Sequence, residues 1–285
     1  MTEPDPDASS PPAPQPPNRE RPLWTAFLTP IAVVIGAVII AGAIWVSNED
    51  DAADDTSLPA DGSASTAPVD EGTAAPPGPA TLLAAFEGYG EAIQLDGAAF
   101  DQCLADAQSR AQVIGAHLNR GSELGVTGTP TFFINNKMIV GAQPPEVFDE
   151  IIDRELEGSP ATLDGYSPMI LELASSGRFA IVKSPVDVSD ATIEGNPQAK
   201  VMIAEFSDFQ CPFCQRWNQQ NLERVRERLG DDVAMAFLHF PITQIHPNAG
   251  NASVAAVCAG EQGKFWEMHD LLFARQQEWQ NLPPN

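Results

Sequence analysis

Two cysteines three positions apart, in Cys211-Pro212-Phe213-Cys214, are the residues of this chain best suited to chemistry. The thiolate of a cysteine, not the thiol, attacks a disulfide or binds a metal. At the first turn of a helix a thiolate is stabilised by backbone N–H groups that lack helical partners and by the helix dipole. An apolar strand-like run, Lys200 to Phe206, leads through Ser-Asp-Phe-Gln into Cys211, and residues 212–229 continue with helical spacing. Pro212 suits the first turn, where its missing N–H leaves no bond unmade. Cys214 then faces the same side one turn later, within reach of a disulfide. Cys211 is therefore expected to be the exposed nucleophile and Cys214 the partner that resolves a mixed disulfide. The competing reading, half of a zinc site, needs two further ligands. The four histidines, at 117, 239, 246 and 269, form no pair at ligand spacing. A redox pair is preferred, with no metal and no cofactor.

The elements that must position this pair lie in residues 80–285. Residues 81–94 and 97–120 carry apolar side chains at helical spacing, with Asp96 as the N-cap of the second stretch. Val126-Thr127-Gly128-Thr129-Pro130 leads into a β-branched and aromatic strand, Thr131 to Ile134. Asn135-Asn136-Lys137 forms a tight turn, and Met138 to Val140 a second strand, completing a β-hairpin. Pro144-Pro145 opens a helix through Leu156. Residues 157–199 read as a mixed connector with a short helix, Pro168 to Ala174, and a strand, Phe179 to Val182. Val233 to Phe240 forms a further strand, and residues 248–262 and 264–280 form two helices.

EFSDFQCPFC in this setting resembles the DsbA-like branch of the thioredoxin superfamily, as does VTGTPT followed by FFIN. The resemblance implies an α/β thioredoxin-like sheet with a helical insertion. It implies that Pro130, preceded by Thr129, is cis and faces the redox pair across a groove that receives an extended peptide. It implies that Glu205 is a buried acid relaying a proton to or from Cys214. It further implies a structural disulfide between Cys103 and Cys258, with two buried free thiols as the alternative. His246-Pro247 matches a loop of the same family and is assigned no role.

The halves stand in reversed order. In the family the Cys-x-x-Cys half comes first and the cis-proline hairpin last. Here residues 80–157 correspond to the C-terminal half, residues 158–185 to a connector, and residues 186–285 to the N-terminal half. A circular permutation is the preferred explanation, because chain ends that are close at a surface tolerate it. Two chains exchanging halves, or a rearranged gene whose incomplete halves never assemble into anything functional, are the alternatives.

Residues 1–22 are proline-rich and polar and should not fold. Leu23 to Val46 then runs 24 residues without a charge, enough to cross a hydrocarbon core of about 30 Å as one transmembrane helix. Arg19 and Arg21 precede it and Glu49, Asp50 and Asp51 follow it, so the N-terminus should be cytoplasmic and the remainder exported. A cleaved signal peptide is the alternative, but the apolar run is long for one and no clear cleavage site follows. Residues 47–79 read as a flexible acidic tether. The net charge of -24 repels nucleic acid. The expected function is thiol-disulfide exchange at the outer side of a cell membrane, acting on reduced exported proteins. A separate membrane redox partner must reoxidise the pair, since one span cannot house a quinone-coupled one. A peptide-binding module with a fixed Cys211–Cys214 bridge and a metal-handling thiol protein are the rival functions.

Overall fold

The strands form where β-branched and aromatic residues cluster, and each is fixed by what lies beside it. In the computed structural model, which describes residues 78–283, β1 (Thr131–Ile134) and β2 (Lys137–Val140) make an antiparallel hairpin. Asn135 closes it with φ 51°, a left-handed conformation that asparagine tolerates well. The hairpin is pinned from below. Lys137 and Glu155, both fully buried, pair at 2.7 Å, and Asn135 Nδ2 donates to the same carboxylate at 2.8 Å. Glu155 belongs to the helix Pro145–Glu157, in which Val147, Phe148, Ile151 and Ile152 recur at helical spacing and are buried.

The sheet has six strands among the described residues, in the order β3 (Phe179–Ile181), β2, β1, β5 (Val201–Ser207), β6 (Val233–His239), β4 (Thr192–Gly195). The central strand, β5 (Val201–Ser207), runs antiparallel to β1 and parallel to β6 (Val233–His239). Its register sets Thr131 opposite Phe206 and Phe132 opposite Glu205. Strand alternation divides the core between two faces. Val201 and Ile203 join Phe132, Phe148 and Trp217 in one cluster, while Ala204 and Phe206 join Phe133 and Phe240 in another. A third cluster fills the helical insertion, with Phe86, Phe100, Cys103, Cys258, Phe273 and Trp279 among its members.

Several elements depart from the sequence expectations. With helices numbered in chain order, α1 being Leu82–Ala92, α4 Pro145–Glu157, α5 Pro168–Ser175 and α8 Ala249–Gly260, the helix expected over 97–120 is two, α2 (Gly97–Ala105) and α3 (Ala107–Glu123), because the backbone leaves helical geometry at Asp106. The helix expected over 212–229 begins as α6 (Pro212–Trp217) and passes through a π-helical turn, Asn218–Leu222. It resumes as α7 (Glu223–Arg226). The buried Asn221 side chain donates to the Trp217 carbonyl, competing with the main-chain ladder at that turn. The helix expected over 264–280 breaks at Arg275 into α9 (Phe265–Ala274) and α10 (Gln276–Trp279). The Trp279 indole N–H takes the Leu272 carbonyl exposed by that break. The connector is more than a bridge: β3 (Phe179–Ile181) pairs with β2, and the helix Pro168–Ser175 buries Ile170 and Leu173. One strand was not foreseen, β4 (Thr192–Gly195), which pairs antiparallel with β6 at the opposite edge. The tail, the apolar run at 23–46 and nearly all of the tether at 47–79 lie outside the described residues. Among the described residues no helix is long and apolar enough to cross a membrane.

Candidate active site

Strand β5 ends at Ser207, and a four-residue loop turns the chain into α6 at Cys211. Polar contacts hold that loop on every side. The Asp208 carboxylate is fully buried and accepts the N–H groups of Gln210 and Ile242, and it meets His246 Nδ1 at 2.7 Å. The Asp208 carbonyl accepts the Cys211 N–H at 3.0 Å. Gln210 Oε1 accepts the Asn248 N–H, and Gln210 Nε2 donates to the Gln280 carbonyl. Cys211 is thereby fixed at the N-cap of α6, with Pro212 in the first turn.

The Thr129–Pro130 peptide is cis, and the Thr129 carbonyl lies 3.4 Å from Cys211 Sγ. The segment before β1 and the start of α6, 82 residues apart in sequence, thus meet within one chain. This contact corrects the expected exposure of Cys211: its relative exposure is 3%, because the Thr129 segment covers it. Cys214 is fully buried, and neither sulfur is bonded to the other, so the pair is the reduced dithiol. Pro212 and Phe213 are the exposed members of the motif, with the Arg216 guanidinium 4.9 Å above the Phe213 ring.

The two thiols are made unlike by their surroundings. The Cys214 thiol, hydrogen-bonding to the Cys211 sulfur, is the largest influence drawing the Cys211 pKa down to about 6. Burial opposes this, and the Thr129 hydroxyl with the backbone N–H groups of Cys214 and Phe213 reinforces it. Burial pushes the Cys214 thiol well above its ordinary value, and its bond to Cys211 adds to the effect. The first thiol is poised as a thiolate near neutral pH, and the second keeps its proton.

Glu205 lies on the face of β5 that also carries Ser207, two residues on, and both are buried. Burial raises the Glu205 carboxyl to about 8, while the Ser207 hydroxyl lowers it and the Cys211 charge raises it further. Its Oε2 has no hydrogen-bond partner. Glu205 also raises the Cys214 thiol by its charge, and Ser207 lowers that thiol, so acid, hydroxyl and thiol share one buried space.

Cys103 and Cys258 form a disulfide in the insertion, joining α2 to the helix Ala249–Gly260 across 155 residues of sequence. Among the described residues no group of three or more His, Cys, Asp or Glu is placed to hold a metal ion. His239 and His269 are buried among Phe209, Phe237 and Phe265, and His117 stacks on His239 at 5.6 Å. The sequence reading missed Asp208, Ser207, Gln210 and Asn248. Each lies in a stretch where a polar residue reads as loop or surface, and only tertiary packing buries it.

A family model described as a DSBA-like thioredoxin domain matches residues 81–153, and one described as Thioredoxin matches residues 188–284. Over 91 residues the chain is 32% identical to a probable disulfide bond formation protein D of Bacillus anthracis. That stretch is 30% of this chain and 42% of that protein. The chain is also 44% identical over 96 residues to the Na(+)/H(+) antiporter NhaA 3 of Salinispora tropica, covering 33% of this chain and 14% of the antiporter. It is 38% identical over 100 residues to NhaA 1 of Mycolicibacterium gilvum, covering 34% of this chain and 16% of that protein. The chain therefore spans under half the length of these curated relatives. A strand-loop-helix bearing Cys211 and Cys214 is set against the Thr129–Pro130 segment, and the chain is similar to a DSBA-like thioredoxin domain over residues 81–153 and to Thioredoxin over residues 188–284.

Proposed function

We propose that this chain is an extracytoplasmic thiol-disulfide oxidoreductase whose Cys211–Cys214 pair oxidises or exchanges disulfides in exported proteins. The observation that carries this reading is the asymmetry of the two thiols beside Thr129: a sulfur favoured as thiolate at the helix N-terminus, and a fully buried thiol one turn on. A stabilised thiolate lowers the free energy of the reduced form, which makes the disulfide form a readier electron acceptor. Net oxidation is the direction this favours.

The reaction balances within the pair and its substrate. A substrate thiolate attacks Cys211 Sγ of the oxidised pair, the Cys211–Cys214 bond breaks, and Cys214 leaves as a thiolate. Glu205 supplies the proton that Cys214 takes up. A second substrate thiolate then attacks the substrate's own sulfur in the mixed disulfide, and Cys211 leaves as the stable thiolate. Two electrons have passed from the substrate dithiol to the enzyme. A separate membrane partner returns the pair to the disulfide.

The charge asymmetry around residues 23–46 supports an anchored protein with its catalytic part outside the cytoplasm. The pairing of β1, which follows Pro130, with β5, which leads into the later Cys211–Cys214 motif, supports a circular permutation. So does a main-chain hydrogen bond of 3.4 Å from the Leu82 N–H to the Pro283 carbonyl, which sets the two ends of the described chain side by side.

The test is made with reduced dithiol peptides and glutathione. Cys211→Ala should abolish dithiol oxidation. Cys214→Ala should accumulate a stable mixed disulfide at Cys211, visible as a mass increase removed by reductant. A Cys211–Cys214 bridge that glutathione does not reduce, or full activity in Cys211→Ala, would leave a peptide-binding module as the better reading.

A further inference from the structure

The last described helix reaches into the redox loop through one side chain. Gln276 opens α10 and is fully buried. Its Nε2 donates to the Phe209 carbonyl at 2.8 Å and to the Cys211 carbonyl at 3.2 Å. Its Oε1 has no partner at all. The two carbonyls fix which way the amide points, since an oxygen facing them would be repelled. A buried amide that leaves its acceptor unmet is costly, so this side chain is present for what it donates. The Cys211 carbonyl also accepts the Gln215 N–H at 3.1 Å, and Gln276 therefore adds a second donor where α6 begins.

The neighbouring contacts point the same way. Gln215 Nε2 donates to the Phe273 carbonyl at 2.8 Å, tying α6 to the end of α9. Asn248 Nδ2 donates to the carbonyls of Trp279, Gln280 and Leu282. The segment from 276 to 282 is thus laced to the redox loop along its length, and Gln276 alone reaches the cysteine's own peptide group.

We propose that Gln276 is a positioning residue of the redox centre: its amide clamps the Phe209 and Cys211 carbonyls and so sets how the Cys211 sulfur meets the first turn of α6. Oriented carbonyls next to a thiolate are negative dipole ends, and a donor that occupies them turns that field away from the sulfur. Without it the Cys211 carbonyl keeps only the Gln215 N–H, and the first turn that aims the N–H groups of Phe213 and Cys214 is held less tightly. This deepens the reading of Cys211 as the reactive thiol and rests on it.

The experiment compares the full chain with Gln276→Met, which keeps the volume and removes the donor, and with Gln277→Ala on the exposed side of the same helix. The pH dependence of Cys211 alkylation gives its thiolate midpoint, and glutathione mixtures give the redox equilibrium. Gln276→Met should raise the midpoint by about one pH unit and shift the equilibrium at neutral pH about fivefold toward the disulfide, while Gln277→Ala changes neither. A purely structural Gln276 would lower the melting temperatures of both redox forms equally and leave midpoint and equilibrium unmoved, which overturns the proposal. Should Gln276→Met not fold, the wild-type side-chain amide protons decide. They should be protected from exchange and should titrate with Cys211 in NMR spectra; free exchange with no titration is equally fatal. A wild-type Cys211 midpoint at the ordinary thiol value would instead remove the oxidant reading on which the inference stands.

Discussion

At the scale of single residues, Glu205 carries the most distinctive electrostatics. A carboxyl raised to about 8 from its ordinary 4.5 keeps its proton at neutral pH. The Cys211 thiolate contributes to that rise, so consuming the thiolate in a mixed disulfide eases deprotonation of Glu205 when Cys214 needs a base. Glu205→Gln should therefore slow resolution of a Cys211 mixed disulfide by roughly a hundredfold, measured by stopped-flow release of glutathione. The same substitution has a consequence for stability, with a definite sign. The folded protein holds a proton that the unfolded chain releases above its own lower pKa, so this contribution is complete below the unfolded value and is lost as pH rises through about 8. Denaturant midpoints of wild type should fall on the alkaline side, and those of Glu205→Gln should fall less. Parallel curves for the two proteins would mean the carboxyl is not buried as a neutral acid.

At the scale of elements, the disulfide and the helix junctions show what local sequence can and cannot specify. The Cys103–Cys258 bridge lies in the insertion and links α2 to the helix Ala249–Gly260. Replacing both cysteines by alanine should lower stability by roughly 3–5 kcal/mol through loop closure in the unfolded state, read from denaturant unfolding. The Cys211 thiolate midpoint should be unchanged, because among the described residues no hydrogen bond joins the bridge to the 208–211 loop. The strand-to-helix turn at Cys211 and the hairpin after Pro130 were legible because their signals are local: β-branched runs, a proline in the first turn, an Asn-Asn turn. The interruptions of the helices were not. A π-helical turn that hangs on one buried Asn221 amide leaves no trace in apolar periodicity. Nor does β4, a four-residue strand, half-buried to exposed, that exists because β6 offers it an edge. Gln276, within Arg275-Gln276-Gln277-Glu278, reads as surface, and its burial arises only when α10 folds back on the redox loop.

At the scale of the whole molecule, the circular permutation proposed for this chain makes a testable prediction. Strand β1, from the first half, pairs with β5, from the second, and the insertion takes helices from both. If the order arose by circular permutation, the joint lies where the described ends now meet, beside the Leu82–Pro283 hydrogen bond. The compensating opening belongs at residues 183–185, an exposed bend after β3. It does not belong after residue 157, because the helix Pro168–Ser175 and β3 complete the sheet beyond β2. A reordered chain running 184–285, then a short glycine-serine link, then 78–183 should fold as a monomer with the Cys103–Cys258 bridge formed within it. Its Cys211 thiolate midpoint should match that of the natural order, since every contact around Thr129, Glu205 and Gln276 is retained. Closing the link adds little, because a short loop between adjacent ends costs little entropy. Two chains that exchange halves would behave differently: the natural protein would form covalent dimers through Cys103 and Cys258 under non-reducing conditions, with no bridged monomer. A reordered chain that stays unfolded while the natural order folds would show that the halves depend on their present sequence for assembly, and the permutation reading would be lost.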